Sequence, residues 1–442
     1  MGQHILIIVQ NLPVPLDRRV WLECQALRDA GYRVSVICPK GPGDPPFQEL
    51  DGVRIYKYQP APPTEGVAGY LWEFAYSWVR TALIARRVWS RDRFGAVQAC
   101  NPPDTYWALA RRYVRAGAAF VYDQHDLNPE VFRSRFGEPR GISAKAQYRG
   151  LLWLERRTYR SAHHVIATNE SYKRTAMQRG GLSDADVTVV RSGPDTRRMR
   201  PVDGDPALRN GRSYLAVWLG IMGPQDGVDV VLRALDLLVH GPHGYDIQLA
   251  LLGFGDCLGE LKELAHELKL DDHVTFTGRA DPDMIARYLS SADIALSPDP
   301  KSPLNDVSTM NKTMEYMCYA LPIVAFDLTE TRVSGCDAAV YVAAGGDLAA
   351  DTERYAAAVG ELLGDPERRA DLSVRARRRV ETELDWEAQR QRYVGVYDRL
   401  FGIPPRNCPA ERSSVAPADG QRYVDVADTA ALRRFARSRR AN

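Results

Sequence analysis

Residues 214–238 read YLAVWLGIMGPQDGVDVVLRALDLL, and this stretch decides the fold. Tyr214–Leu219 is a short unbroken apolar run. Gly220 and Gly223 then break it, and from Val228 the apolar residues recur at helical spacing. Strands buried on both faces read as continuous apolar runs, and parallel pairing requires a helical crossover. The stretch is therefore one strand–turn–helix unit of a doubly wound α/β sheet. Working outward, Ile247–Leu252, His273–Thr277, Ile294–Ser297, Leu321–Phe326 and Ala339–Val342 read as further strands. Val228–Leu238, Asp256–Leu268, Asp283–Ser290, Thr309–Ala320, Asp351–Gly364 and Pro366–Leu384 read as helices. A similar alternation fills the first half, with strands expected at His4–Val9, Arg33–Cys38, Val53–Tyr58, Ala96–Ala99, Ala119–Tyr122, His164–Ala167 and Val187–Val190. The polar, Pro- and Gly-containing run RRMRPVDGDPALRNGR (197–212) is the linker candidate. The expected organisation is two Rossmann-like domains, 1–198 and 199–385, with a helix at 386–402 packing back on the first. A disordered basic tail is expected at 403–442.

Composition narrows the classes. With 58 Lys+Arg against 56 Asp+Glu, the 442-residue chain has no general pull on polyanions, so nucleic acid is not an expected partner. The balance is uneven, because 403–442 carries an excess of Arg and leaves the body slightly acidic. No apolar run reaches membrane-spanning length. MGQHILIIVQNLP reads as a first strand and not as a signal peptide. The seven cysteines are scattered without a CxxC pair, which fits a reducing, cytoplasmic setting.

In open α/β sheets, ligands bind beyond the carboxyl ends of strands. Three such ends in the second half carry chemistry. Gly220 and Gly223 allow backbone to approach a phosphate, with a helix N-terminus behind them. Gly253 and Gly255 form a GxG, which a tight strand–helix turn explains equally well. The third is Pro303–Tyr316, where Ser308 or Thr309 can cap a helix whose first turns carry Lys312 and Glu315 on nearly one face. A carboxylate there can accept two hydrogen bonds from a vicinal diol such as ribose. The bland alternative is a capped helix with a surface Lys–Glu pair. In the first half, YDQHDLNPE (122–130) places His125, alone among eight histidines, at a strand's carboxyl end, near Asp126 and Glu130. Without a second histidine cluster no metal is expected there. The Asp-x-Asp pairs at 184/186, 203/205 and 281/283 read as turn and cap residues.

Taken together, LDRRVWLECQALRDAGYRVSVICP (16–39), QACNPPD (98–104), YDQHDLNPE, VIATNES (165–171), VVRSGPD (189–195), GIMGPQDGVD (220–229), LLGFGD (251–256) and STMNKTMEYM (308–317) resemble the retaining glycosyltransferases of family 4, in their bacterial branch. The resemblance runs from about residue 4 to 400. It implies the GT-B fold: two facing Rossmann-like domains with a cleft between them, the donor held mainly by the second and the acceptor by the first. Glu315 matches the residue that binds the donor ribose. Ser308, Thr309, Met310 and Asn311, with Gly220 and Gly223, would approach the diphosphate and sugar. Gly253, Gly255 and the Thr277–Arg279 turn would flank the nucleotide, and His125 would lie near the transferred sugar. Asp126, Glu130, Asn169 and Arg191 fall in the substrate-binding set by their place in these motifs. The implied reaction is same-face displacement from a UDP- or GDP-sugar, without cofactor, metal or enzymic nucleophile.

Two positions depart from the family. Many members carry an Arg and a Lys after the Gly220 strand, where this chain has Ile221–Met222 and Gln225–Asp226. Lys312 is the expected substitute cation, with Arg279 and Arg191 as helpers. The family's second Glu is replaced by Val307, with Asp306 beside it as a stand-in. A nucleotide-sugar 2-epimerase and a non-catalytic nucleotide-sugar-binding subunit are the alternatives on the same architecture. The acceptor is open between a lipid-linked saccharide and a small molecule. Gly69–Arg93 interleaves aromatic residues and arginines, the pattern of a helix lying in a membrane interface or packed on the first sheet.

Overall fold

The computed structural model describes residues 2–62, 66–404 and 421–439. The chain divides into two compact units. One holds residues up to Ser192 together with the stretch from Glu387, and the other holds Gly193–Trp386 together with the C-terminal stretch.

The first unit is an eight-stranded sheet of β1 (His4–Ile8), β2 (Arg33–Pro39), β3 (Phe47–Leu50), β4 (Val53–Tyr58), β5 (Ala96–Cys100), β6 (Ala119–Gln124), β7 (His164–Ala167) and β8 (Val187–Val189). Their order is β3-β4-β2-β1-β5-β6-β7-β8, and every neighbouring pair is parallel except β3 with β4. That hairpin is absent from the sequence reading. Asp51 and Gly52 both have positive φ, the two-residue turn that Asp-Gly favours. β1 is buried along its whole length, as a central parallel strand must be. The helices are α1 (Arg18–Asp29), α2 (Gly66–Arg91), α3 (Tyr106–Val114), α4 (Asn128–Phe136), α5 (Gly141–Ser161) and α6 (Glu170–Gly180). The carboxylate of Asp17 accepts the Val20 amide at 3.1 Å and so starts α1 directly after the β1 turn.

The second unit has six parallel strands: β9 (Tyr214–Ile221), β10 (Ile247–Phe254), β11 (Val274–Gly278), β12 (Ile294–Ser297), β13 (Ile323–Phe326) and β14 (Ala339–Val342). Their order, β11-β10-β9-β12-β13-β14, is the Rossmann order, with a switch point between β9 and β12. One face is covered by α7 (Val228–His240), α8 (Leu258–Glu267) and α12 (Leu348–Gly364). The other is covered by α9 (Pro282–Ser291), α10 (Asn311–Cys318) and α13 (Pro366–Arg379). α11 (Thr329–Gly335) joins β13 to β14. α14 (Trp386–Leu400) belongs from Glu387 onward to the first unit, where the Tyr393 hydroxyl donates to Gln98 Oε1 at 2.7 Å.

Two expectations are corrected. The candidate linker 197–212 is packed structure: Arg209 is buried and pairs with Asp293 at 2.6 Å. Of the tail expected to be disordered, 405–420 and 440–442 lie outside the described residues. Residues 421–439, however, are ordered. Tyr423 bridges Val202, and α15 (Thr429–Ser438), capped by Asp428, buries Leu432 against Ala320 and Val374. The Asp-x-Asp pairs do serve as caps, with Asp186, Asp205 and Asp281 each accepting a backbone amide of its own turn.

The ends of β9 and β10 approach so closely that a Cβ on Gly253 would sit 1.9 Å from the Gly220 carbonyl oxygen. Gly253→Ala is therefore expected to destabilise the second unit by about 2 kcal/mol or more, measured as a lowered midpoint in thermal or urea unfolding. An unchanged midpoint would show that the two strand ends can separate freely.

Candidate functional site

In the first unit the polar residues gather where β1 and β5 part, at the carboxyl ends of the strands. Arg19, in the first turn of α1, lies with its guanidinium 2.8 Å from Asp123 Oδ1, and its Nε is 3.1 Å from Glu23 and 3.2 Å from His125 Nε2. The same guanidinium donates to the Val190 carbonyl at 2.9 Å and to Ser192 Oγ at 3.2 Å. His125 Nε2 faces Asp123 Oδ2 at 2.8 Å, and Gln98 Nε2 donates to Glu23 at 2.8 Å and to Asp123 at 3.1 Å. The Asn101 side chain accepts the amides of His125 and Asp126 and so fixes the turn after β6.

The electrostatics follow from this packing. Burial opposes ionisation of Asp123, but Arg19 and His125 hold its carboxyl well below the usual range. Burial opposes the charged imidazole too, yet Asp123 outweighs it and raises the His125 pKa. Glu23 is pushed up from its ordinary 4.5 to about 8, first by burial and then by Asp123. The Asp126 carboxyl is also raised by burial.

Cys100, Asp123 and His125 bring ligand atoms within 4.8 Å of one another. The guanidinium of Arg19 already compensates Asp123 and would repel a cation placed there.

Two matched residues are engaged within the fold. Asn169 is fully buried and caps α6, accepting the Tyr172 amide at 2.7 Å. Glu130 is buried in an ion pair with Arg179, which also bonds Glu155 at 2.9 Å. Arg191 is buried in this unit, its amide bonded to Gln389 at 3.0 Å.

The second unit has its own cluster beside its switch point. Lys312, one residue into α10, reaches between strand ends, with Nζ 2.7 Å from Asp299 and 3.4 Å from Asp226. It lies 5.0 Å above the Trp218 ring. Gly220 leaves room for this: a Cβ there would come 3.1 Å from the Trp218 ring. Burial works against the ammonium, and the two carboxylates raise its pKa nonetheless; burial in turn raises Asp226. Lys312 is thus compensated internally and is not the free cation expected. The Gly223 amide is likewise engaged, 3.2 Å from Asp226 Oδ2.

Other expectations in this loop also change. Asp306 accepts both the amide and the hydroxyl of Thr329 at 3.0 Å, tying the loop to α11. The Ser308 hydroxyl donates to the Leu304 carbonyl at 2.7 Å, and Ser308 lies two residues before the N-cap position. The helix begins later than expected: Met310 is its N-cap, without a side-chain cap bond, and Asn311 its exposed first residue. Thr309 and Glu315 are half-buried. A Cβ on Gly255 would meet backbone of Met222 at 2.5 Å, so packing accounts for both glycines of the GxG. Arg279 is exposed and stacks on Phe254, its guanidinium carbon 4.3 Å from the ring centre.

Arg19, Glu23, Gln98, Asp226, Asp299 and Trp218 were not among the expected site residues. Arg19 and Glu23 had a legible signal: they are spaced i, i+4 along the stripe of Val20, Cys24 and Leu27 that α1 buries.

Residues 16–193 match the family described as "Glycosyl transferase 4-like domain", and residues 213–365 match "Glycosyl transferases group 1". The two matches take in most of both units, and the chain belongs to the group 1, family-4-like glycosyltransferases. Its fold is that of GT-B structures. Sucrose-phosphate synthase from Thermosynechococcus elongatus superposes with a TM-score of 0.72 at 20% identity, covering 90% of this chain and 99% of that one. WaaG, a glycosyltransferase involved in lipopolysaccharide biosynthesis, gives 0.66 at 16%, covering 90% and 100%. The GDP-mannose-dependent alpha-(1-6)-phosphatidylinositol monomannoside mannosyltransferase of Mycobacterium tuberculosis is 30% identical over 142 residues, 30% of this chain and 36% of the relative. The D-inositol 3-phosphate glycosyltransferase of Nocardia farcinica is 27% identical over 208 residues, 45% of each. These matches span less than half of either relative.

Glu23 carries a pH signature. A carboxyl raised in the folded state adds stability that is fully present below its ordinary pKa and is lost as pH rises through about 8. Glu23→Gln should flatten the fall of stability between about pH 5 and pH 8, measured by urea unfolding at several pH values. An unaltered slope would mean Glu23 does not hold a proton in the folded state.

Proposed function

We propose that the protein is a retaining glycosyltransferase that moves a sugar from a UDP- or GDP-sugar to an acceptor hydroxyl without a metal. The observation that carries this reading is the second unit's switch point. There, within a group 1 glycosyltransferase match, a half-buried Glu315 stands one turn from a Lys312 anchored at two strand ends. In this reading Glu315 holds the donor ribose, and Lys312 positions α10 without lending free charge. The diphosphate charge falls to Arg279 and to the start of α10 with the Ser308–Asn311 loop. His125, whose pKa Asp123 raises, is the first unit's candidate contact to substrate. Metal independence is supported by the internal cations that already compensate Asp123 and Asp299. The leaving phosphate takes the acceptor proton, so the chain contributes orientation and electrostatic stabilisation.

The donor base is left between uracil and guanine by the names of the similar proteins. One relative is GDP-mannose-dependent, and the HepE structure from Anabaena, in complex with UDP-glucose, is similar in fold at 15% identity and a TM-score of 0.63, covering 90% of this chain and 100% of that one. A lipid-linked acceptor is supported by α2, which exposes Trp72, Val79 and Leu83 at helical spacing with Arg80, Arg86 and Arg87 beside them. No helix among the described residues is long and apolar enough to cross a membrane.

Calorimetric titration of the full chain with UDP and with GDP is expected to show binding of one of them. Glu315→Ala should weaken it at least about tenfold, the loss of two hydrogen bonds to a charged group. Absence of binding to both nucleotides overturns the donor reading. In flotation with anionic phospholipid vesicles the chain should rise with the lipid, and Leu83→Glu should leave it in the lower fraction; no flotation of the unaltered chain removes the membrane contact.

A further inference from the structure

The C-terminal segment lies outside both family matches, and the proposed reaction makes no use of it. It nevertheless reaches the donor helix. α10 has only eight residues, with Lys312 in its first turn and Glu315 one turn later, and the chain reverses just beyond it at Ala320, in the left-handed region. The carbonyls that end such a helix have no intrahelical donor, and the helix dipole makes that end negative. Here they are taken by two arginines from elsewhere in the unit. Arg377 Nη1 donates to the Cys318 carbonyl at 2.5 Å. Arg439 donates from Nη2 to Tyr319 at 2.7 Å and from Nη1 to Ala320 at 3.2 Å. Arg439 Nε also donates to Ser290, in the last turn of α9, at 3.1 Å. One guanidinium therefore spans the negative ends of two of the helices on this face of the sheet, α9 and α10.

Arg439 is buried, and all three of its bonds go to backbone carbonyls and none to a carboxylate. Burial pushes its pKa down to about 9, so holding the charge here is costly. The segment is secured around it: Leu432 packs on Ala320 and Val374, Arg433 pairs with Asp371 at 2.5 Å, and the Arg439 carbonyl accepts from Arg209. Arg209 in turn pairs with Asp293 at 2.6 Å.

We propose that the C-terminal segment is a positioning element of the donor site, in which Arg439 fixes the carboxyl end of α10 and thereby the placement of Glu315, one turn before that end. The inference rests on the reading of Glu315 as a donor contact, whereas its mechanical part does not. Amide hydrogen exchange tests the mechanical part in the full chain. Arg439→Met should speed exchange across Asn311–Cys318 about tenfold, the scale of a lost helix-end cation, while β9 and β10 stay protected. Arg439→Lys, which keeps the charge but not the fork, should recover part of that protection. Arg433→Ala removes a cation from the same helix without touching α10 and should leave its exchange unchanged. Should Arg439→Met lose protection in the strands as well, Arg439→Lys against Arg433→Ala carries the comparison.

Titration with UDP and GDP then tests the functional part, with the nucleotide that binds expected to bind several-fold more weakly to Arg439→Met. If α10 exchanges alike in all variants, or nucleotide affinity does not move while α10 loosens, the inference is overturned. If the unaltered chain binds neither nucleotide, the donor reading fails, and the exchange result alone decides whether Arg439 braces α10.

Discussion

A single buried ammonium organises the second unit. Lys312 Nζ has Asp299 on one side and Asp226 on the other, with the Trp218 ring beneath it. Breaking such an arrangement by removing one partner leaves an uncompensated buried charge, which is strongly destabilising. The two carboxylates belong to different strand ends: Asp226 follows β9 and Asp299 follows β12, the pair that flanks the switch point. The ammonium therefore pins the amino end of α10 to both strands at once. Gly220 leaves the space that lets Trp218 lie beside this path. With Arg377 and Arg439 holding the other end, Glu315 sits on a two-turn helix fastened at each terminus.

The first unit solves the same problem with other residues. Asp123 at the end of β6 is a fully buried carboxylate, and a helix that follows a different strand supplies its cation, Arg19 of α1. In both units the charge is settled between a helix and a strand end, which locks the order in which elements meet at the switch point. The near-zero net charge of the chain follows the same logic: the informative charges are spent on one another inside the fold, so a whole-chain count carries little about the site.

The sequence disclosed most where a single physical cause acts. All six strands of the second unit were legible, because parallel strands covered by helices read as near-continuous apolar runs. The hairpin of β3 was not, since Phe47–Leu50 is an edge strand with mostly exposed residues and reads as loop. The start of α10 was misplaced because Ser308 has two uses for its hydroxyl, and a backbone carbonyl of the preceding turn takes it. The tail was misread from its composition. Asp428 as cap with Leu432 and Phe435 at helical spacing was legible, whereas the burial of Arg439 was not, because arginine is seldom buried without a carboxylate. Within the site, glycines and strand ends pointed to the right places. Roles were harder: Asn169 and Glu130 lie in matched motifs and act as a helix cap and an ion-pair partner.

The relation between Asp226 and Lys312 also bears on the absent phosphate cation. A positive residue was expected after β9 from the resemblance; that loop carries a carboxylate instead, and the ammonium that meets it comes from α10. With both carboxylates ionised the cluster is one unit negative, and burial answers this by raising the pKa of Asp226. An anion arriving beside Gly223 would raise it further, because a second negative charge disfavours ionisation. Under the donor reading, the charge that compensates a diphosphate therefore comes from outside this pair.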